Sequence, residues 1–164
     1  KPEMVLMGGM IVVAQMGVGA FSAAVAAAFA HRPARLLVGA EPTVADCLTT
    51  SIENGGQLTV IDETPYTSMA GLNCGTPSEL AWMTNRSAFN AFATVEDADA
   101  EEATRVLHED WIESGESGAA GLAALLRWGK DLGLRADDDV LVFVTEGVTD
   151  PINFARIIGP ESAD

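Results

Sequence analysis

The segment Met10–Ala20 reads MIVVAQMGVGA and joins an apolar run to a glycine-containing loop. Met10–Ala14 predicts a buried strand, and Gln15–Gly19 predicts the tight loop that follows it. Nearly every residue from Ala20 to His31 favours a helix, which Arg32-Pro33 should end. A strand that runs through a tight loop into a helix predicts the first half of a βαβ unit.

The second strand of that unit is predicted over Arg35–Ala40, and helices then alternate with short apolar runs. The next predicted elements are a helix that is capped by Thr43 and ends near Asn54-Gly55-Gly56, and a short strand over Leu58–Ile61. They are followed by a helix from Ser78 through Trp82, a strand over Phe89–Val95, a helix over Asp97–Leu107, and a helix over Ser117–Leu132 with Gly133 as its C-terminal cap. The last two are a fully buried strand over Asp139–Thr145 and a helix from Pro151 through Ile158. This alternation predicts an α/β domain with a parallel sheet, one domain or most of one.

Composition narrows the class of partner. The 164 residues include 9 basic and 24 acidic residues, which gives a net charge of −15 and disfavours nucleic acid and anionic membranes. No apolar run reaches the length of a membrane span. Two cysteines, Cys47 and Cys74, are too few for a disulfide scaffold, and no signal peptide is visible, so a cytoplasmic location is expected.

The glycine loop is a candidate phosphate-binding segment. Gly17-Val18-Gly19 lets the backbone turn tightly before a helix whose first amides are unpaired, and such amides can bind a phosphate. The alternative is a tight connection without a ligand, which the loop taken alone favours. The third glycine of the dinucleotide pattern is missing after Gly19, which argues against a nicotinamide domain.

Four further segments occur in a fixed order with this loop. They are Val38-Gly39-Ala40-Glu41-Pro42 with Ala45-Asp46-Cys47, Ser68–Gly75 leading to Leu80-Ala81-Trp82, Ser114–Ala119, and Thr145–Pro151. Together with Gln15–Ala20 they resemble the diaminopropionate ammonia-lyases, which are fold-type II pyridoxal-phosphate enzymes like threonine dehydratases and serine racemases. The resemblance covers about Val12 to Ile158 and implies a parallel-sheet, three-layer fold of the tryptophan synthase β-like kind, here incomplete.

The resemblance also implies a set of residues that bind pyridoxal 5'-phosphate. They are Gly17, Val18, Gly19 and Ala20 for the phosphate, Thr145 for the pyridine nitrogen, Gly71 and Leu72 beside the ring, and Glu116 near the cofactor. The alternatives are that Thr145 only ends a strand and that Glu116 caps the next helix through Ser117. His31 and His108 show no metal-ligand spacing, so no metal is expected.

Cys47 and Cys74 both fall inside matched segments. The resemblance implies that they lie close together, as a disulfide or a redox pair. The alternative is two small buried thiols in a reducing compartment. The sequence departs from the family at Met16, where a small residue is usual, and at Val148, where an acid is usual.

A lysine suited to the chemistry is missing from the matched segments. Such enzymes hold the cofactor as a Schiff base on a lysine, yet Lys1 is terminal and Lys130 lies in no matching motif. We therefore expect residues 1–164 to be the C-terminal part of a lyase whose lysine-bearing N-terminal part lies upstream. On its own the chain should be inactive and poorly stable, because a sheet cut from its other strands exposes apolar edges.

The predicted reaction of the whole enzyme is α,β-elimination of ammonia from 2,3-diaminopropionate, which gives pyruvate and ammonia. The alternatives are a related serine or threonine dehydratase, a non-catalytic phosphate-binding α/β module, and a degenerate segment with only an interaction role. By resemblance we expect a small amino-acid substrate and a homodimer.

Overall fold

Four parallel strands form the sheet at the centre of this computed structural model, which describes residues 9–31 and 34–159. The strands are β1 (Ile11–Gln15), β2 (Leu36–Pro42), β3 (Ala91–Val95) and β4 (Val140–Val142), and their order in the sheet is β3-β2-β1-β4. Val13 lies opposite Val38 on one side and Val142 on the other. The carboxyl ends of β1, β2 and β4 therefore meet at one edge of the sheet, where α/β proteins place their ligands.

Helices cover both faces of this sheet. They are α1 (Ala20–Phe29), α2 (Cys47–Glu53), α3 (Glu79–Ala88), α4 (Asp97–Glu109), α5 (Glu116–Trp128) and α6 (Pro151–Ile158), with a 3-10 turn at Ala70–Leu72. Ile11 and Val13 pack among residues of α4 and α5, while Val12 and Ala14 pack among residues of α1, α2 and α3. Successive β1 side chains thus enter opposite cores, as strand geometry requires. The predicted three-layer α/β class is confirmed.

The start of α2 was predicted wrongly. Thr43 lies in a turn and donates its backbone N–H to Val95 O at 3.0 Å, and the helix begins only at Cys47. The capping group is instead the buried carboxylate of Glu41, which accepts hydrogen bonds from Leu48 N at 2.9 Å and Thr49 N at 2.8 Å. Burial raises the pKa of Glu41 from 4.5 to about 7, and this effect outweighs the bonds that lower it.

Three other predicted elements also differ from those in the structure. The segment Leu58–Ile61 is not a strand, because Thr59 N bonds to Ser51 Oγ and Ile61 N bonds to Gly75 O instead of to a neighbouring strand. Helix α3 begins after Ser78 as predicted but continues past Trp82 to Ala88. Helix α5 ends at Trp128, and its C-terminal cap is Gly129. Gly133, the predicted cap, lies four residues later in the following turn, with φ 69°. The predicted stop at Arg32-Pro33 lies outside the described residues.

The strand predicted over Asp139–Thr145 is shorter and less buried than expected. Only Val140–Val142 form ladder pairs, and Val140 is 39% exposed. This strand is more exposed than predicted because β4 lies at the edge of the sheet and pairs only with β1 among the residues that the structure describes. None of the helices described is long and apolar enough to cross a membrane.

Candidate functional site

A cavity of about 360 Å³ opens where β1 meets the start of α1. Its lining residues are Gln15, Gly17, Val18, Gly19, Ala20, Phe21, Gly71, Leu72, Cys74 and Thr145. The structure therefore brings together seven of the eight residues that the sequence predicted for cofactor binding, although they are separated by up to 128 positions (145 − 17). Glu116 is the one that does not line it.

The glycine loop, which lines this cavity, contains unpaired backbone amides. No described residue accepts a hydrogen bond from the backbone N–H groups of residues 17–20. Helix α1 has no acidic residue in its first turn, so the positive end of its dipole is not neutralised. Consecutive free amides at a helix N-terminus are a site for a phosphate or another anion.

A second cavity, of about 340 Å³, lies along the outer edge of β3. Asp46, Glu53 and Asp131 contribute to its lining. These carboxylates disfavour an anion, whereas no acidic residue among those described lines the cavity at α1.

Asn85 holds the glycine loop in shape. It is fully buried on α3, donates through Nδ2 to Gly19 O at 2.8 Å, and accepts from Ser22 Oγ at 2.9 Å. Gly19 has φ 94°, and a Cβ placed on it would lie 2.5 Å from Asn85 Nδ2. The glycine is thus required both by its backbone conformation and by the close approach of Asn85.

Gln15, which also lines the cavity, links the end of β1 to the residues that follow β4. Its side chain is 2% exposed, and its Nε2 donates to Phe143 O at 3.1 Å and to Thr145 Oγ1 at 2.5 Å. The sequence patterns mark this residue only as the first of the loop. A polar residue directly after a buried strand is expected to be buried and hydrogen-bonded, and this pattern could have indicated a structural role for Gln15.

The 3-10 turn closes another side of the cavity. Gly71 N donates to Ser117 Oγ at 3.0 Å, which ties the turn to the start of α5. A Cβ on Gly71 would lie 3.0 Å from Glu146 Oε2. Gly71 therefore lets the carboxylate of Glu146, a residue that the sequence did not single out, approach the turn closely.

Glu116 lies at the first position of α5, away from the cavity lining. It is 8% exposed, and its carboxylate accepts a hydrogen bond from Asn153 Nδ2 of α6. It does not cap α5 through its side chain, because that cap is Gly115. Its contact with the cofactor stays a prediction.

The two cysteines flank Gly17 as free thiols. Cys47 Sγ donates to Gly17 O at 3.8 Å, and Cys74 Sγ lies 3.2 Å from the position of a Cβ on Gly17. Burial raises the pKa of Cys47 to about 12, so this thiol stays protonated. Met16, which stands where the family usually has a small residue, is buried and fills the space left by Gly39, where a Cβ would overlap Met16 Cε.

Comparison with known proteins gives concordant matches. A family described as "Pyridoxal-phosphate dependent enzyme" matches residues 9–146. Diaminopropionate ammonia-lyase of Escherichia coli K12 is 35% identical over an alignment covering 72% of this chain and 33% of that protein. The Salmonella typhimurium protein of the same name is 29% identical, with 88% of this chain and 40% of that protein covered. The chain thus spans about a third to two fifths of these relatives.

Solved structures agree with these matches. The holo diaminopropionate ammonia-lyase of Escherichia coli superposes with a TM-score of 0.77 at 29% identity, over 95% of this chain and 42% of that one. A T.th. threonine deaminase gives a TM-score of 0.76 at 27% identity, over 85% of this chain and 50% of that one. Maize serine racemase gives a TM-score of 0.78 at 25% identity, over 94% and 48%.

Proposed function

Since this chain belongs to the family of pyridoxal-phosphate-dependent enzymes, we propose that its cavity holds pyridoxal 5'-phosphate in a lyase that acts on 2,3-diaminopropionate. The reaction is α,β-elimination of one ammonia, and hydrolysis of the product by one water then gives pyruvate and a second ammonia. One observation carries the proposal: residues 17–20, whose backbone amides have no partner among the described residues, line the same cavity as Thr145 and Gly71. One cavity could therefore bind both an anionic group and a flat ring.

The residues present fit a phosphate ester without a basic side chain. Gly17, Val18, Gly19 and Ala20 would bind the phosphate through backbone N–H groups at the positive end of α1. Asn85 keeps Gly19 in the conformation that leaves these amides free. Leu72 and Phe21 supply apolar surface that excludes water from the ring.

The chemistry needs an electron acceptor beside the amino acid. When bound, pyridoxal phosphate draws electrons from the α-carbon and so allows a group on the β-carbon to leave. Thr145 would bind the pyridine nitrogen through a neutral hydroxyl, which does not protonate that nitrogen. The weaker electron withdrawal that results is sufficient for β-elimination.

The lysine that carries the cofactor would come from an N-terminal part that this chain joins. The chain has two lysines in its sequence, and Lys130 is exposed and outside the cavity lining. The relatives are more than twice as long as the matched region, and β4 leaves an exposed edge against which further strands can pack. In this proposal residues 1–164 bind the cofactor, the missing part supplies the lysine, and the whole assembles as a homodimer.

A serine or threonine dehydratase is the second candidate, because the similarity to the T.th. threonine deaminase is nearly as strong as that to the ammonia-lyase. Both proposed functions would use the same cavity. They differ in the group that leaves the β-carbon, an amine or a hydroxyl. Only the substrate assay separates them.

The test is an assay of the protein that joins this chain to a lysine-bearing N-terminal part, with the lysine-to-alanine variant as control. Pyruvate released fastest from 2,3-diaminopropionate, and lost in the control, supports the lyase. Faster turnover of serine or threonine supports the dehydratase. Binding of pyridoxal phosphate without turnover of any of the three would leave a non-catalytic binding module and overturn the lyase.

A further inference from the structure

We propose that Gln15 is a positioning residue that fixes the hydroxyl of Thr145 as a hydrogen-bond donor to the cofactor's ring nitrogen, so that this nitrogen stays unprotonated. The proposal rests on the proposed function, because it concerns the same cavity. It adds a residue and a mechanism that act through Thr145 rather than by direct contact with the ring.

The orientation of the Gln15 amide follows from its partner in the residue that follows β4. Phe143 O lies 3.1 Å from Gln15 Nε2, and a backbone carbonyl oxygen can only accept a hydrogen bond. The amide nitrogen must therefore face Phe143. If the amide were flipped, two carbonyl oxygens would face each other.

The orientation of the Thr145 hydroxyl follows in turn. Thr145 Oγ1 lies 2.5 Å from the same Nε2, which has two hydrogens and no lone pair to offer. Thr145 Oγ1 must accept this bond, so its own hydrogen is left for another partner. None of the residues described accepts a hydrogen bond from Thr145 Oγ1, and Thr145 lines the cavity. The hydroxyl hydrogen therefore needs an acceptor, which a ligand atom with a lone pair would supply.

The buried position of Gln15 keeps this arrangement fixed. The side chain is 2% exposed, and its Oε1 is buried without a hydrogen-bond partner among the described residues. An unpaired buried oxygen is unfavourable, and the two bonds from Nε2 offset it only in this orientation. A ring nitrogen that carries a proton has no lone pair to offer the hydrogen of Thr145, whereas an unprotonated nitrogen accepts that hydrogen.

The probe for the experiment is pyridoxine 5'-phosphate, which has the ring and the phosphate but no aldehyde, so no lysine is needed. Ultraviolet absorbance of the bound probe against pH gives the pKa of its ring nitrogen. The variants are Gln15→Leu, Gln15→Glu and Thr145→Val, and Gln15→Leu in the Thr145→Val background. In Gln15→Glu, a protonated carboxyl can donate to Phe143 O and accept from Thr145, which reverses the hydroxyl.

In the wild-type chain the bound ring nitrogen should hold its proton about tenfold more weakly than in Gln15→Leu, as expected for one hydrogen bond. Gln15→Glu should bind the proton more tightly than Gln15→Leu. Thr145→Val, an exposed position, should match Gln15→Leu, and adding Gln15→Leu to it should change nothing further.

Two results overturn the inference while leaving the proposed function in place. One is a ring-nitrogen pKa that is the same in wild type, Gln15→Leu and Gln15→Glu. The other is a shift by Gln15→Leu that persists in the Thr145→Val background. Failure of the probe to bind both the wild-type chain and the protein that joins it to a lysine-bearing N-terminal part would instead overturn the proposed function and this inference with it.

Discussion

Gly19 is required for its positive φ and for the close approach of Asn85, and comparison with a second glycine can separate these two effects. Its φ of 94° is unfavourable for any side chain, and a Cβ would also lie 2.5 Å from Asn85 Nδ2. Gly133 has φ 69° but nothing within 4 Å of a Cβ, so it is a matched control for backbone strain alone. We expect Gly133→Ala to lower the free energy of unfolding by about 1 kcal/mol and Gly19→Ala by about 3 kcal/mol. Urea denaturation measures both, and equal losses would contradict the role given to Asn85.

The residues that the sequence predicted for the cavity share one property. Gly17, Gly19, Gly71 and Thr145 lie in short segments with a recognisable pattern, so local sequence was sufficient to mark them. Asn85 and Gln15 could not be found in this way, because their roles depend on partners 66 and 130 positions away. The polar side chain of Gln15 at the end of an apolar run signals a role, but a single sequence does not show which distant residue it contacts.

The start of helix α2 depends on a buried acid. Burial raises the pKa of Glu41 from 4.5 to about 7, so the folded chain holds this proton more tightly than the unfolded chain does. The contribution of Glu41 to stability is therefore greatest below pH 4.5 and falls as the pH rises to about 7, by about 3 kcal/mol in total.

The variant Glu41→Gln removes this titration and keeps an acceptor for the α2 amides. Its free energy of unfolding minus that of the wild type should rise by about 3 kcal/mol between the two pH limits. Glu53→Gln, at the exposed end of the same helix, controls for the loss of one negative charge. Thermal or urea unfolding at several pH values provides the measurement. A difference that stays flat with pH, or falls, would refute the assignment.

Among the secondary-structure elements, those with a clear period and a clear stop were predicted well. Asp97–Glu109 begins at the predicted residue because a carboxylate-rich first turn and an apolar face occur together. Too much strand was predicted at Leu58–Ile61 and at Asp139–Thr145. An apolar run indicates burial but does not show which strand pairs with it. Pairing is a property of the sheet, and the sheet was not visible from either segment alone.

At the scale of the whole molecule, β4 forms an exposed apolar edge. Val140 is 39% exposed and Val144 is 41% exposed, beside a strand edge with no partner among the residues described. Such an edge promotes association between chains. The isolated chain should therefore self-associate with increasing concentration, and Val140→Lys should reduce this association. Val60→Lys, which changes a 48% exposed valine outside the sheet, is the control.

Sedimentation velocity over a range of concentrations measures this association. Equal reduction by Val140→Lys and Val60→Lys would mean that added charge, and not the β4 edge, is responsible. An isolated chain that stays monomeric throughout would contradict the expectation that this edge needs a covering part.

For the chain as a whole, the three-layer α/β class could be predicted because strand, loop and helix alternate clearly in the sequence. The net charge of −15 argues against polyanion partners. It does not exclude a single phosphate, because the amides of residues 17–20 act at short range while the carboxylates are spread over the surface. Binding of an anion by so acidic a chain must then come from the loop itself.

The most direct test of the central claim compares pyridoxine 5'-phosphate with pyridoxine in calorimetric titrations of this chain. The two ligands differ only in the phosphate, so the difference in their affinity measures what the loop contributes. We expect the phosphate ester to bind at least about tenfold more tightly than pyridoxine, and the Gly19→Ala variant to lose this preference while Gly133→Ala keeps it. Equal affinities for the two ligands, or a preference that survives in Gly19→Ala, would contradict the assignment of this loop as the phosphate site.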